Sequence, residues 1–186
     1  MLAGFRHCRV QAGEVGIHAV IGGEGPSLLL IHGFPQTWWA WHKIMPRLAV
    51  HHTVVAVDLR GAGYSDKPLT GFDKATLAGD VHATMAALGF PRYAVCGHDI
   101  GAMVALALAF THRDAVTHVA VMDTAMPGWS RWESMFADPR LWHYAFHMKR
   151  DLPEPLLAGR EYDYVATFIL DRAYNLGGHA AGEMAG

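Results

Sequence analysis

Asp99 stands with one residue and then a glycine on each side, in Val95-Cys96-Gly97-His98-Asp99-Ile100-Gly101-Ala102. An apolar run, 93–96, leads in, and a run of small residues, 101–110, leads out. This is the glycine–x–nucleophile–x–glycine spacing of a sharp strand-to-helix turn. Such a turn holds its central residue in a strained backbone conformation with the side chain clear of the sheet. Neighbours two residues away would collide, so glycine is required at both places. Most such elbows carry serine, which needs a general base before it can attack. A carboxylate, with an ordinary pKa of about 3.9, is already ionised at neutral pH. It suits displacement at a saturated carbon, giving an enzyme-bound alkyl ester that water must hydrolyse. The competing reading is an Asp that merely caps the following helix.

Two further motifs precede the elbow, each after an apolar run of strand type. His32-Gly33-Phe34-Pro35 follows 27–31, and Asp58-Leu59-Arg60-Gly61-Ala62-Gly63-Tyr64-Ser65 follows 53–57. In this order the three motifs resemble the α/β-hydrolase superfamily, in its branch of epoxide hydrolases and haloalkane or haloacetate dehalogenases. The resemblance runs from about residue 15 to about residue 170. It implies an oxyanion hole made by the backbone N–H groups of Phe34 and Ile100, needed when water attacks the ester. It also implies that Asp123, 24 residues after Asp99 and directly after the run 119–122, is the acid that orients a catalytic histidine. The competing reading of Asp123 is a helix cap. The expected pocket lining is His32, Pro35, Trp38, His98, Trp142 and Tyr144. Asp58, Arg60 and Ser65 match a structural loop of the superfamily, with an expected buried Asp58–Arg60 pair.

The family's histidine follows the acid, in a loop after the last core strand. None of the 13 histidines lies in that context. His98 flanks the elbow and is expected to point away, and His179 falls in a Gly/Ala-rich end. The expectation is a chain shortened relative to its family, without its base. The resemblance also separates the branches. Haloalkane dehalogenases place Trp directly after the nucleophile, and fluoroacetate dehalogenases carry Arg there and three residues later. Here those positions are Ile100 and Met103, which argues against halide substrates. An epoxide instead needs a proton donor for its opening alkoxide. The segment Leu141-Trp142-His143-Tyr144-Ala145-Phe146 resembles the cap segment that supplies a histidine for this in Cif-type epoxide hydrolases. His143 is therefore either that donor or an ordinary cap residue, with Tyr144, Tyr162 and Tyr164 as weaker candidates. His143 and His147 are also spaced as a helical metal pair, but no third ligand is evident, so no metal is expected.

The elements that must position these groups follow from periodicity. Residues 5–11 and 15–22 read as an antiparallel edge pair. Runs 27–31 and 53–57 are continuously apolar, as in strands buried on both faces. Thr37 can cap a helix over 38–49. Residues 73–88 carry Leu77, Val81, Met85 and Leu88 on one side of a helix. Strand–helix alternation predicts a mostly parallel α/β sheet, with six strands from the start of the α/β-hydrolase fold. Residues 127–176, rich in aromatic side chains, are expected to form a partial helical cap on a 1–126 core, and 177–186 a flexible tail.

Composition sets the outer bounds. The 186 residues suit a domain with a sizeable core. Hydrophobic residues make up 52% and charged residues 17%, which excludes a disordered chain. The net charge of −2 gives no basic footprint for nucleic acid or an anionic membrane. The most apolar run, 100–110, is far short of the about 20 residues of a membrane span. Two cysteines make no disulfide framework, and Cys96 reads as a free buried thiol. No apolar leader is visible in 1–10, so a cytoplasmic location is the default. The reading is thus an epoxide-hydrolase-like, cofactor-independent enzyme acting on a small molecule, an epoxide or a halogenated organic. A homodimer is left open. The alternatives are a dehalogenase-like hydrolase and a shortened, inactive fragment. In the last case the sixth strand would be an exposed, aggregation-prone edge.

Overall fold

A computed structural model describes residues 2–126, 128, 132–135 and 137–171. The expected tail, with His179, lies outside the described residues. The chain divides into two compact units, Met1–Thr124 and Ala125–Gly186.

The first unit is a six-stranded sheet built from β1 (Phe5–Ala12), β2 (Val15–Gly22), β3 (Ser27–Ile31), β4 (Thr53–Val57), β5 (Tyr93–His98) and β6 (Val116–Met122). Their order across the sheet is β1-β2-β4-β3-β5-β6. β1 and β2 run antiparallel, and β2 runs antiparallel to β4. The β3–β4, β3–β5 and β5–β6 pairs are parallel. This is the mostly parallel sheet expected.

Side-chain alternation explains why β3 and β4 read as unbroken apolar runs. Leu29 and Ile31 of β3, with Val55 and Val57 of β4, enter one core with Leu77, Val81 and Met85 of α2 (Lys74–Ala87) and Val104, Ala105 and Leu108 of α3 (Ile100–Thr111). Leu30, Val54 and Ala56 enter a second core on the other face, with Trp38, Trp41 and Met45. Successive strand residues face opposite sides, so a strand covered on both faces has no polar position. Each such Val, Leu or Ile contributes roughly 1.5–3 kcal/mol by leaving water.

One predicted helix divides. Residues 38–49 form a 3-10 turn at Trp38–Trp41 and a short α1 at Met45–Leu48. Thr37 does cap the turn, accepting the Trp39 N–H at 3.3 Å. The break has a physical cause in Pro46, which has no N–H to extend a helix from the preceding turn and sits in the first turn of α1 instead. α2 begins as expected at Asp73, whose carboxylate accepts the Thr76 N–H at 2.9 Å.

β6 is exposed along almost its whole length, and Val119, Val121 and Met122 are each about 40% accessible. Among the described residues it pairs with β5 on one side. The second unit is helical in its described parts, with α4 (Trp132–Met135), a 3-10 turn (Pro139–Leu141), α5 (Trp142–His147), α6 (Pro153–Leu157) and α7 (Glu161–Leu170).

Candidate active site

The three sequence motifs meet at the C-terminal ends of β3, β4 and β5. Asp99 lies between β5 and α3, at φ 53°, ψ −120°. A non-glycine residue rarely occupies this region, and such strain concentrates at functional sites. Although Asp99 holds the first position before α3, its side chain makes no capping hydrogen bond. The capping alternative therefore fails. The carboxylate turns instead toward the β3 loop, where Oδ1 accepts the backbone N–H of Phe34 at 3.0 Å.

Glycine is required at three points for steric reasons. A Cβ on Gly97 would collide with the Gly101 carbonyl, and one on Gly101 with the carbonyls of Ile31 and His32. The elbow thus presses directly against the end of β3. A Cβ on Gly33 would strike Asp99 itself. That closeness brings the Phe34 amide within reach of the carboxylate. Pro35 follows through a cis peptide bond. Ile100 opens α3.

The structure moves His32 and Trp38 from expected pocket lining to the interior. His32 is buried, with Nδ1 donating to the Gly33 carbonyl at 2.9 Å and Nε2 accepting the Leu59 N–H at 3.1 Å. Backbone atoms satisfy both nitrogens, so the ring cross-links the loops after β3 and β4. Burial pushes its pKa down, partly offset by the bond to Gly33, and the ring is the neutral tautomer with hydrogen on Nδ1. Trp38 is buried in the core, and its backbone N–H donates to Asp58 Oδ1 at 2.7 Å.

The expected Asp58–Arg60 pair is replaced by two others. Arg60 clasps Asp80 of α2 through Nε at 2.5 Å and Nη2 at 2.6 Å. Asp58, fully buried, accepts His18 Nδ1 at 2.8 Å and the Tyr64 N–H at 3.1 Å, both on Oδ2. Burial alone would raise the Asp58 pKa, but the bonds from His18, Trp38 and Tyr64 outweigh it and hold the carboxyl below its ordinary value. Ser65 Oγ donates to the Asp58 carbonyl at 2.7 Å. Arginine reaches past its near neighbour because α2 offers a two-pronged carboxylate that matches the guanidinium fork.

Asp123 follows β6 at φ 50°, with its side chain 91% accessible. Among the described residues no helix starts at it, so the cap reading fails here too. His98 does not point away as expected. Its Nε2 stands 3.7 Å from Asp123 Oδ2, across the β5–β6 pair His98↔Met122. Cys96 is half-buried, and burial pushes its thiol up.

Sequence reading gave no role to Lys74, the first residue of α2. It is half-buried, which pushes its ammonium pKa down, while attraction to the Asp99 carboxylate opposes that shift. Nothing in its sequence context marks it, since a lysine at a helix start is ordinarily a solvated surface residue. His18 was missed for a similar reason, as it reads as one polar position in an edge strand.

In the second unit, His143 is buried beside Trp142, Tyr144 and Phe168, with the Phe168 ring edge-on at 4.9 Å. Trp142 is 47% accessible and also packs on Tyr164. The Tyr164 hydroxyl and His147 Nε2 share a hydrogen bond at 2.7 Å. That bond joins α5 to α7.

The architecture and the elbow agree with comparisons to known proteins. Residues 26–151 match the family model described as alpha/beta hydrolase fold. The chain is 38% identical over 163 residues to a soluble epoxide hydrolase of Corynebacterium sp. (strain C12), covering 86% of this chain and 57% of that protein. It is 39% identical over 162 residues to a fluoroacetate dehalogenase of Burkholderia sp, covering 83% and 53%. Among solved structures, Cfl2 from Burkholderia cenocepacia superposes with a TM-score of 0.87 at 34% identity, over 99% of this chain and 65% of that one. The epoxide hydrolase CorEH superposes with a TM-score of 0.78 at 32% identity, over 97% and 66%. The chain spans little more than half the length of these two curated relatives. Sheet order, elbow and family match together show that this chain belongs to the α/β-hydrolase fold family.

Proposed function

We propose that the chain carries the nucleophilic machinery of an epoxide-hydrolase-like enzyme, with Asp99 as the nucleophile. The observation that carries this reading is the hydrogen bond from the Phe34 amide to Asp99 Oδ1. It holds one carboxylate oxygen and leaves Oδ2 to attack. In the first step Oδ2 forms a bond to an epoxide carbon, and that carbon's bond to the ring oxygen breaks. The resulting alkoxide takes a proton from a donor, for which the resemblance to Cif-type enzymes offers His143 as a candidate. The product is an alkyl ester in which Oδ1 has become the carbonyl oxygen. In the second step water adds to the ester carbon, and negative charge gathers on Oδ1. The Phe34 amide already points at that atom, and the Ile100 amide at the start of α3 is its expected partner. Collapse of this intermediate releases the diol and restores the carboxylate. Asp123 would orient the base for that water. The positioned Asp99 carboxylate supports the first step most directly.

The experiment is incubation with an aryl glycidyl ether, beside an Asp99→Asn control, with ester and diol both measured. Diol or a stable Asp99-dependent ester supports the reading, and neither, in a folded sample, overturns it. A dehalogenase reading is favoured by the 39% identity to the fluoroacetate dehalogenase. It is opposed by Ile100 and Met103, which cannot pair with a substrate carboxylate. Halide release from a haloacid panel separates the two.

A further inference from the structure

Behind the oxyanion loop lies a chain of three titratable side chains that the proposed reaction does not use. Exposed His7 of β1 meets His18 of β2, Nδ1 to Nε2, at 2.9 Å. His18 Nδ1 meets Asp58 Oδ2 at 2.8 Å, and Asp58 Oδ1 holds the Trp38 N–H at 2.7 Å. Trp38 is four residues past Phe34. The chain therefore runs from a surface imidazole, through a buried one, to the carboxylate that anchors the loop carrying the Phe34 amide. The rings are fixed by packing. Trp38 stands edge-on to His7 at 5.1 Å, and Tyr64 edge-on to His18 at 5.1 Å.

The hydrogen count along this chain is restricted. His18 Nδ1 faces a carboxylate and so carries hydrogen. The contact between His7 and His18 has room for one hydrogen. With both rings neutral, His7 Nδ1–H donates to His18 Nε2. A proton from solvent adds to the exposed chain end at His7 Nε2, and the His7 Nδ1 proton can then pass to His18 Nε2. The charge ends on His18 beside Asp58, with His7 neutral. A second proton would set two N–H groups against each other and break the contact. The pair therefore takes up one charge as a unit.

We propose that His18 and His7 are positioning residues for the loop that carries Phe34, forming a proton path from the surface to Asp58 that sets how firmly Asp58 grips the Trp38 amide. The link to catalysis rests on the reading of Phe34 as an oxyanion donor to Asp99. When His18 becomes charged it draws on the Asp58 charge, and the Trp38 and Tyr64 amides lose part of a charge-assisted bond. The other charges facing the chain are few. Buried His32 acts on Asp58. Arg9, paired in register with His18, is engaged by Asp66 and by the Tyr64 carbonyl. Lys67 is bound to the carbonyls of Gly63 and Ser65. Burial, the positive charge of His18 and that of the amino terminus hold the His7 pKa down, while Asp58 opposes them.

The test is a pH titration of 15N-labelled protein, following the imidazole nitrogens and the backbone amides of Trp38 and Tyr64. The expected result is hydrogen on His18 Nδ1 throughout, with one midpoint shared by His7, His18 and both amides. In His7→Phe, a proton on His18 Nε2 has no acceptor, so the transition of the Trp38 and Tyr64 amides moves to lower pH. His7→Gln keeps a hydrogen-bond acceptor for His18 Nε2 in case the aromatic ring disturbs β1, and there the amide transition stays closer to the native one. Separate midpoints for the two imidazoles in the native protein, or a Trp38 amide that stays flat through them, overturn the path. These readouts need no substrate, so a failure of the epoxide reading leaves them able to decide. Where ester forms at Asp99, the histidine-dependent limb of its pH–rate profile should move to lower pH in His7→Phe, together with the two amides. An identical profile in both proteins overturns the coupling to the loop.

Discussion

The backbone N–H of Phe34 donates to Oδ1 of Asp99 at 3.0 Å, so the proposed nucleophile is already held by the proposed oxyanion donor. That contact depends on Gly33, because a Cβ there would strike Asp99 Cβ and the His98 carbonyl. Gly33→Ala should therefore push the loop away from the elbow. The expected result is a rate of ester formation lower by about tenfold or more, with unchanged far-UV circular dichroism. An unchanged rate would mean that the loop does not position the nucleophile.

The elbow also makes a prediction about stability. Gly101→Ala sets a methyl against the backbone carbonyls of Ile31 and His32, neither of which can swing aside as a side chain would. The expected cost is about 3 kcal/mol or more, read by urea denaturation. Gly79, inside α2, has open space around its Cβ position. Gly79→Ala should raise stability by roughly 0.5–1 kcal/mol. The two substitutions are chemically identical, so their opposite signs isolate the close approach at the elbow.

The Arg60–Asp80 pair ties the loop after β4 to α2, with side chains only 11% and 9% accessible. Arg60→Met alone strands a nearly buried carboxylate and should cost about 3–5 kcal/mol. Adding Asp80→Leu should recover much of that loss, because the stranded charge is then gone. A double mutant no more stable than the single one would contradict this account of the pair.

Much of the site was legible in the sequence because its determinants are local. The Gly97-His98-Asp99-Ile100-Gly101 spacing specifies a turn within five residues, and the apolar runs of β3 and β4 report their double burial directly. What was not legible depends on which side chains meet across the sheet. Asp58 lies two residues from Arg60, yet it binds His18 from β2, while Arg60 turns to α2. His98 was expected to face away, but the β5–β6 register brings it opposite Met122 and so beside Asp123. Register across a parallel pair is set by the apolar patterns of both strands together, which the residues around His98 alone do not show. The divided helix at 38–49 was readable in principle from Pro46, which the Thr37 cap signal overshadowed.

His32 links the site to pH. Its folded-state pKa is depressed by burial, so between that value and the ordinary value of about 6.5 the unfolded chain binds more protons than the native one. Stability therefore rises with pH across this window, and its contribution is complete above about pH 6.5. As the pH falls below 6.5 it is lost, by up to about 1.4 kcal/mol per pH unit for one fully linked proton. His7, His82 and His147 are shifted in the same direction, so the difference between native protein and His32→Asn isolates one residue. The variant should be less stable at pH 7.5, with a shallower dependence of Tm on pH between 7.5 and 5. A parallel dependence would contradict the neutral, doubly bonded ring.

The most direct test of the central claim is the intact mass of the protein after exposure to an aryl glycidyl ether, with peptide mapping and an Asp99→Asn control. The account predicts an adduct of one epoxide mass on Asp99, absent from the control, or diol formed only when Asp99 is present. A folded protein that gives neither adduct nor diol, or one modified equally in the control, would contradict it.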